Sequence, residues 1–345
     1  MIEIVTRGHL HHFLRSRASQ RRFIVFETID EAMAFEELQE DALLFYPWEI
    51  LPFEPLLGDK EKCASRYKVI HAMLTRPSVT VITSVMGLFQ KLPPVSLLSE
   101  YTLDLSPGQR PGHEALIRKL TRMGYERVYE ARYPGQFAVR GEIIDIFSPV
   151  ETLPVRCLFW DEEIETLRFY NPDTQMTASP CPQVVIYPLH EVLYDESLAF
   201  ERLKESIPVL EFMNREAYPG MERDFPLIYD EYSAVTDFLD EGWDAFLVGV
   251  SDPRDVFREK ISLMEKVEED ISGLLSFYRE KADLKAFLPV SVRERTDEAE
   301  AVSGPLSDKE LIQKISLWQK EGLAIHFYMD NPGQLKRFRD NFSDY

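Results

Sequence analysis

Phe23-Ile-Val-Phe-Glu-Thr-Ile-Asp-Glu-Ala-Met-Ala-Phe-Glu-Glu-Leu-Gln39, followed closely by Ala42-Leu-Leu-Phe-Tyr46, is the stretch on which the fold turns. It opens with a short apolar run that ends at Glu27. From Asp30 the apolar residues Ala32, Met33, Phe35 and Leu38 recur at helical spacing, and a second apolar run follows and stops at Pro47. Short apolar runs without polar alternation are strands covered on both faces, and an amphipathic helix between two of them points to a parallel sheet. Outward from there the alternation continues. Asp59 to Leu74 places Tyr67, Ile70, His71 and Leu74 on one helical stripe, Val79-Thr-Val-Ile-Thr83 is a third strand, and a helix near Met86 to Lys91 ends at Pro93-Pro94.

Beyond about Tyr101 the texture changes. His113 to Met123 still reads as helix, but Arg127 to Ala131, Gln136 to Phe147, Val155 to Trp160 and Ile164 to Tyr170 are β-rich. Pro134-Gly135, Ser148-Pro149 and Asn171-Pro-Asp173 punctuate them as turns, which predicts a meander-like antiparallel insert. Helical patterning resumes at Val192 to Ile207, and Ala245-Phe-Leu-Val-Gly-Val250 is another buried strand. A long helix over Val256 to Phe287 is expected, with Phe257, Ile261, Met264, Val267, Ile271, Leu274 and Tyr278 along one face. Ser291 to Ser307 reads as loop, Leu311 to Trp318 as helix, Leu323 to Tyr328 as strand and Gln334 to Phe342 as helix. The predicted fold class is thus α/β. A parallel-sheet domain begins in residues 1–100, is interrupted by a small β-rich domain at 101–187, and is completed by 188–345.

The chain has 345 residues and a formal charge of -20, which repels phosphate backbones and speaks against broad non-specific duplex binding. Met1 to Gly8 lacks a basic region followed by an apolar run, and no stretch reaches the roughly 20 apolar residues of a membrane span, so a cytoplasmic protein with no membrane partner is expected. Cys63, Cys157 and Cys181 fit neither a disulfide framework nor a zinc spacing. In the cluster His9, His11 and His12, His9 and His12 would share a helix face, but no further ligand stands nearby in sequence, and a solvated or partly packed helix is the simpler reading. His190-Glu191 reads as a helix entry. No Gly-x-x-x-x-Gly-Lys-[Ser/Thr] run and no Gly-x-Gly-x-x-Gly occurs, so the backbone cradle for a nucleotide's phosphates is missing. Asp252, at the end of a buried strand, is followed by Pro253, which suits a helix start better than a magnesium site.

Two segments resemble a known family. Phe45-Tyr-Pro-Trp-Glu-Ile-Leu-Pro-Phe-Glu54, with Ser65-Arg66-Tyr67 after it, is similar to a segment near the start of the bacterial transcription-repair coupling factors. Gly135-Gln-Phe-Ala-Val-Arg-Gly-Glu-Ile-Ile-Asp-Ile-Phe147, Leu153-Pro-Val-Arg-Cys-Leu-Phe-Trp-Asp-Glu-Glu-Ile-Glu-Thr-Leu-Arg-Phe169 and Asp173-Thr-Gln175 resemble the domain those factors share with the excision-repair protein UvrB. The resemblance runs over roughly residues 20–250 and only in pattern beyond. It implies a degenerate helicase-like (RecA-like) parallel-sheet domain with the β-rich domain inserted. It also implies a non-catalytic N-terminal module that docks onto UvrA in nucleotide excision repair. ATP, magnesium, RNA polymerase and DNA would belong to domains outside this chain. The alternative is a UvrB-like ATP-dependent DNA-remodelling enzyme. Between Tyr46 and Asp59 there is no room for UvrB's DNA-wedging hairpin.

Matched residue by residue, the resemblance places UvrA contacts at Arg140, Arg156 and Trp160, where the family usually has Phe at the last; Arg168 is a weaker candidate. The residues speak independently for two of these. In a strand over Val155 to Trp160, side chains alternate, so Arg156, Leu158 and Trp160 share one face while Val155, Cys157 and Phe159 face a core. Arg and Trp on one face have the composition of a binding hot spot. The competing reading has Trp160 half-buried and Arg156 paired with Glu163 or Glu165. For Arg140 the parity is open, because a bulge at Gly141 would reverse the alternation.

Overall fold

Strands at the first decisive stretch are covered on both sides. Phe23, Ile24 and Val25 have no solvent exposure, nor do Val81 and Ile82 on the neighbouring strand of the same sheet. The computed structural model describes residues 2–4, 19–37, 39, 41–48, 58–190, 192–193, 229, 231–250, 252–267, 278–279 and 287–292. Among these, the strands Phe287–Val292, Trp243–Val248, Arg21–Phe26, Val79–Ser84 and Ala42–Phe45 follow one another in that order, every neighbouring pair parallel. The structure is therefore mixed α/β, with a parallel sheet and a separate β-rich sheet. By its contacts the chain divides into one compact unit of residues 1–2 and 17–291 and a second of 3–16 and 292–345. No helix among the described residues is long and apolar enough to cross a membrane.

Local chemistry sets the helix ends. Thr28 caps the helix Ile29–Glu36 through a reciprocal pair with Glu31, and Asp59 accepts from the amides of Glu61 and Lys62 at the start of Lys60–Thr75. On that second helix Tyr67 and Ile70 are buried and His71 is half-buried, as the stripe predicted, but Leu74 is 51% exposed. Arg66, buried on the same helix, donates to the carbonyls of Tyr46 and Pro47 at 3.4 and 3.1 Å and pins the chain where it leaves the sheet. Gly87 allows the helix Val85–Phe89 to lie against Thr83; a Cβ there would stand 2.3 Å from the Thr83 hydroxyl oxygen.

The long helix expected over Val256 to Phe287 is corrected. The described helix is Pro253–Val267; Tyr278 instead forms an antiparallel bridge to Gln90, and Phe287 begins a strand of the parallel sheet. Tyr278 and Phe287 are buried apolar residues, but strand pairing satisfies the backbone around them, and periodicity alone could not tell the two apart. Asp252 accepts from the Arg254 amide at 2.8 Å and opens that helix. His190 is buried and its ring meets the Arg122 carbonyl at 2.8 Å, at the far end of the helix His113–Arg122. His9, His11 and His12, residues 49–54, the elements expected over 311–342, and all but Val192 and Leu193 of the helix expected over Val192 to Ile207 lie outside the described residues.

In the β-rich part, Thr177–Pro180, Glu163–Tyr170, Val155–Trp160, Ile143–Phe147, Gln136–Arg140 and Glu126–Val128 are neighbours in that order. The meander is antiparallel except for its last pair, Glu126–Val128 with Gln136–Arg140, which is parallel. The single apolar run Gln136 to Phe147 is a hairpin, turned at Gly141 with φ 59°. Leu103–Leu105 and Val184–Ile186 pair antiparallel.

Candidate docking face

Alternation along Val155–Trp160 sorts the side chains as expected: Val155, Cys157 and Phe159 are buried, Arg156 and Leu158 half-buried, and Trp160 is 77% exposed. Core residues of the neighbouring strands, Phe137, Ile144, Ile146, Ile164 and Leu167, lie with the buried set. The opposite face is built by register. Arg156 stands across from Asp145 on one side and Arg168 on the other, while Asp145 stands across from Ala138, two residues from Arg140 on the same face. The parity question at Arg140 is thereby resolved. Gly141 sits in the hairpin turn and does not reverse the alternation, and the irregularity lies instead between Leu158 and Phe159.

Asp145 is the centre of the arrangement. Its side chain is 1% exposed, and it is flanked by the apolar Ile144 and Ile146 on its own strand. Arg156 donates to it in a fork, Nε to Oδ1 at 2.7 Å and Nη2 to Oδ2 at 2.8 Å, and Arg140 Nη2 donates to the same Oδ2. A planar guanidinium matches a carboxylate in this way and gains both charge and direction. The hydrogen-bonded carboxylate holds the Arg156 guanidinium above its already high ordinary range, so it stays charged. Beneath it lies Tyr170, 4.4 Å from ring centroid to guanidinium carbon, whose hydroxyl donates to the Ala131 carbonyl. Burial raises the Tyr170 phenol, so that ring remains neutral.

The pairing of Arg156 with Glu163 or Glu165 is not observed. Glu163 meets Arg110 at 3.3 Å, in the turn that follows Trp160. That turn is held from below: Gly112 donates to the Glu162 carbonyl, and the Glu162 carboxylate accepts from the His113 amide at 3.2 Å. Glu162 thus caps the helix His113–Arg122, whose own cap residue Gly112 has no side chain to do so. The His113 ring packs edge-on against Phe159, 5.2 Å away. Trp160 is therefore exposed on a fixed turn. Arg168 is exposed and makes no ion pair among the described residues.

The structure thus brings Arg140 and Arg156 together on one carboxylate, sets Arg168 across from Arg156 on the next strand, and places Trp160 at the far end of the strand that carries Arg156. Sequence reasoning missed Asp145 and Gln175. The signal for Asp145 was an acid inside an apolar strand run, which cannot be buried without cationic partners. Gln175, in the turn beyond Glu163–Tyr170, gave no signal of its own.

Residues 103–191 match the family model described as the UvrB interaction domain. The chain is 31% identical over 150 residues to the transcription-repair-coupling factor of Escherichia coli (strain K12), covering 44% of this chain and 13% of that protein. It is 28% identical over 242 residues to that of Myxococcus xanthus, covering 64% and 20%, and 30% identical over 146 residues to the UvrABC system protein B of Kosmotoga olearia, covering 42% and 21%. The chain thus spans between 13% and 21% of the length of these relatives. Residues 103–191 are thus similar to the UvrB interaction domain, in a chain similar to the transcription-repair-coupling factors.

Proposed function

We infer that this chain is a non-catalytic recruiting module that docks onto UvrA through the face bearing Arg140, Arg156, Arg168 and Trp160. Its task is to couple transcription to nucleotide excision repair. In this reading it is the N-terminal UvrB-like module of a coupling factor. The parallel sheet is a degenerate helicase-like domain, and ATP, magnesium, RNA polymerase and DNA are handled by segments beyond the chain, in the cytoplasm.

One observation carries the reading. A tryptophan 77% exposed stands on the same strand as an arginine forked onto a buried aspartate, within the domain that matches the UvrB interaction family. Exposed aromatic and arginine anchors of this kind supply most of the energy of protein contacts, about 2 kcal/mol or more each. The directly opposed pair Arg156 and Arg168 adds support, since like charges facing across strands are locally unfavourable. A partner carboxylate would relieve that repulsion.

A UvrB-like ATP-dependent enzyme is the second reading, favoured by the match to the UvrABC system protein B. The lack of a phosphate-cradling glycine-lysine run in the sequence speaks against it. Co-purification with UvrA decides between them when combined with an ATPase assay with and without DNA. The recruiting module retains UvrA as the parent and loses it as Arg156→Ala or Trp160→Ala. Robust hydrolysis by the parent, or full retention by both folded variants, contradicts it.

A further inference from the structure

Gln175 closes the turn between the strands Glu163–Tyr170 and Thr177–Pro180 with a left-handed backbone, φ 60°, its amide donating to the Asn171 carbonyl at 2.8 Å. Upstream in the same turn, the Asn171 side chain accepts from the amides of Asp173 and Thr174, both at 2.9 Å. The turn is therefore stiff, and it delivers Gln175 onto the arginines. Gln175 Oε1 accepts from Arg156 Nη2 at 3.1 Å and from Arg140 Nη2 at 3.4 Å, its main-chain oxygen accepts from Arg156 Nη1 at 3.2 Å, and its own Nε2 donates to the Pro172 carbonyl at 2.8 Å.

A guanidinium has five N–H donors. Arg156 gives two to Asp145 and two to Gln175, and its side chain is only 20% exposed. It has little left for a partner. Arg140 gives both donors of Nη2 to the same two residues, and its side chain is 34% exposed. Its Nε–H and the Nη1 pair make no hydrogen bond among the described residues.

We propose that Gln175 is a positioning residue of the docking face: with Asp145 and Arg156 it holds Arg140 by its Nη2, leaving the Nε and Nη1 donors of Arg140 for an acidic side chain of the partner. This rests on the docking reading above and refines it, making Arg140 the contact and Arg156 part of its support. A guanidinium fixed before the partner arrives surrenders less side-chain freedom on binding, so the gain falls on the lifetime of the complex.

The test is a double-mutant cycle on the full 345-residue chain with purified UvrA as the probe. Gln175→Gly tolerates the left-handed backbone and removes the whole side chain while keeping the main-chain oxygen that accepts from Arg156. It is expected to melt close to the parent and to weaken UvrA binding roughly five- to tenfold through faster dissociation, with the association rate unchanged because the charge is unchanged. In the Arg140→Ala background the same change is expected to cost less than about twofold. Arg140→Lys, which keeps the charge but not the planar guanidinium held at one nitrogen while the others stay available, is expected to bind nearly as weakly as Arg140→Ala. Equal losses from Gln175→Gly in both backgrounds, or full rescue by lysine, overturn the positioning role alone. Parent-like binding by both Arg140→Ala and Trp160→Ala overturns the docking face itself, and the positioning role with it.

Discussion

Asp145 serves two arginines with one carboxylate, so the three residues differ in what their removal costs. Taking away Asp145 leaves two partly buried cations facing each other without compensation, and breaking such a pair on its buried side is the expensive direction. Asp145→Ala is expected to destabilise the chain by ~3 kcal/mol, read as a lower urea midpoint at unchanged slope. Arg156→Ala, which deletes a two-point fork and the stacking on Tyr170, is expected to cost about 1–2 kcal/mol, and Arg140→Ala less than that, because Arg140 is more exposed and bonded to Asp145 through one nitrogen only. An unchanged midpoint for Asp145→Ala would contradict this ranking.

Elements are held by a few close approaches that tolerate no side chain. Gly87→Ala would push a methyl into the Thr83 hydroxyl, which already donates to the Phe45 carbonyl at 2.8 Å, and is expected to cost ~2 kcal/mol in denaturant unfolding. Gly141 has open space around it but φ 59°, so Gly141→Asn is expected to be nearly neutral and Gly141→Val costly by about 1–2 kcal/mol. Such elements were legible where periodicity spoke plainly. The buried strands at Phe23 and Val79 follow from unbroken apolar runs, and the two faces of Val155–Trp160 follow from alternation. Tyr278 and Phe287 were misread as helix because their spacing fits either geometry and long-range pairing decides. The four docking candidates were named from the sequence. Their organisation was not, because Asp145 and Gln175 are 30 positions apart and come to share two arginines only through register and a turn.

Against a net charge of -20, the candidate face carries Arg140 and Arg156 on one carboxylate and Arg168 on the neighbouring strand. Contacts made through such a cluster are salt-sensitive in their association rate. A second feature of the molecule is set by pH. Burial pushes the His71 imidazole, which meets the Tyr187 hydroxyl at 3.0 Å, below its ordinary 6.5, against a smaller opposing pull from Asp104. The unfolded chain then takes up the proton first as pH falls. The His71 contribution to stability is complete above pH 6.5 and is lost below it, toward the depressed folded value. The melting temperature of the parent is expected to drop as the pH is lowered through 6.5, and His71→Gln to flatten that drop. The central claim is that the sheet face carrying Trp160 is a docking surface for UvrA, and Trp160 is its cleanest probe because its exposure leaves the core untouched by truncation. Calorimetric titration of UvrA into parent and Trp160→Ala chains is expected to show equal melting temperatures and an affinity weaker by roughly 30-fold in the variant; equal affinities for the two would contradict it.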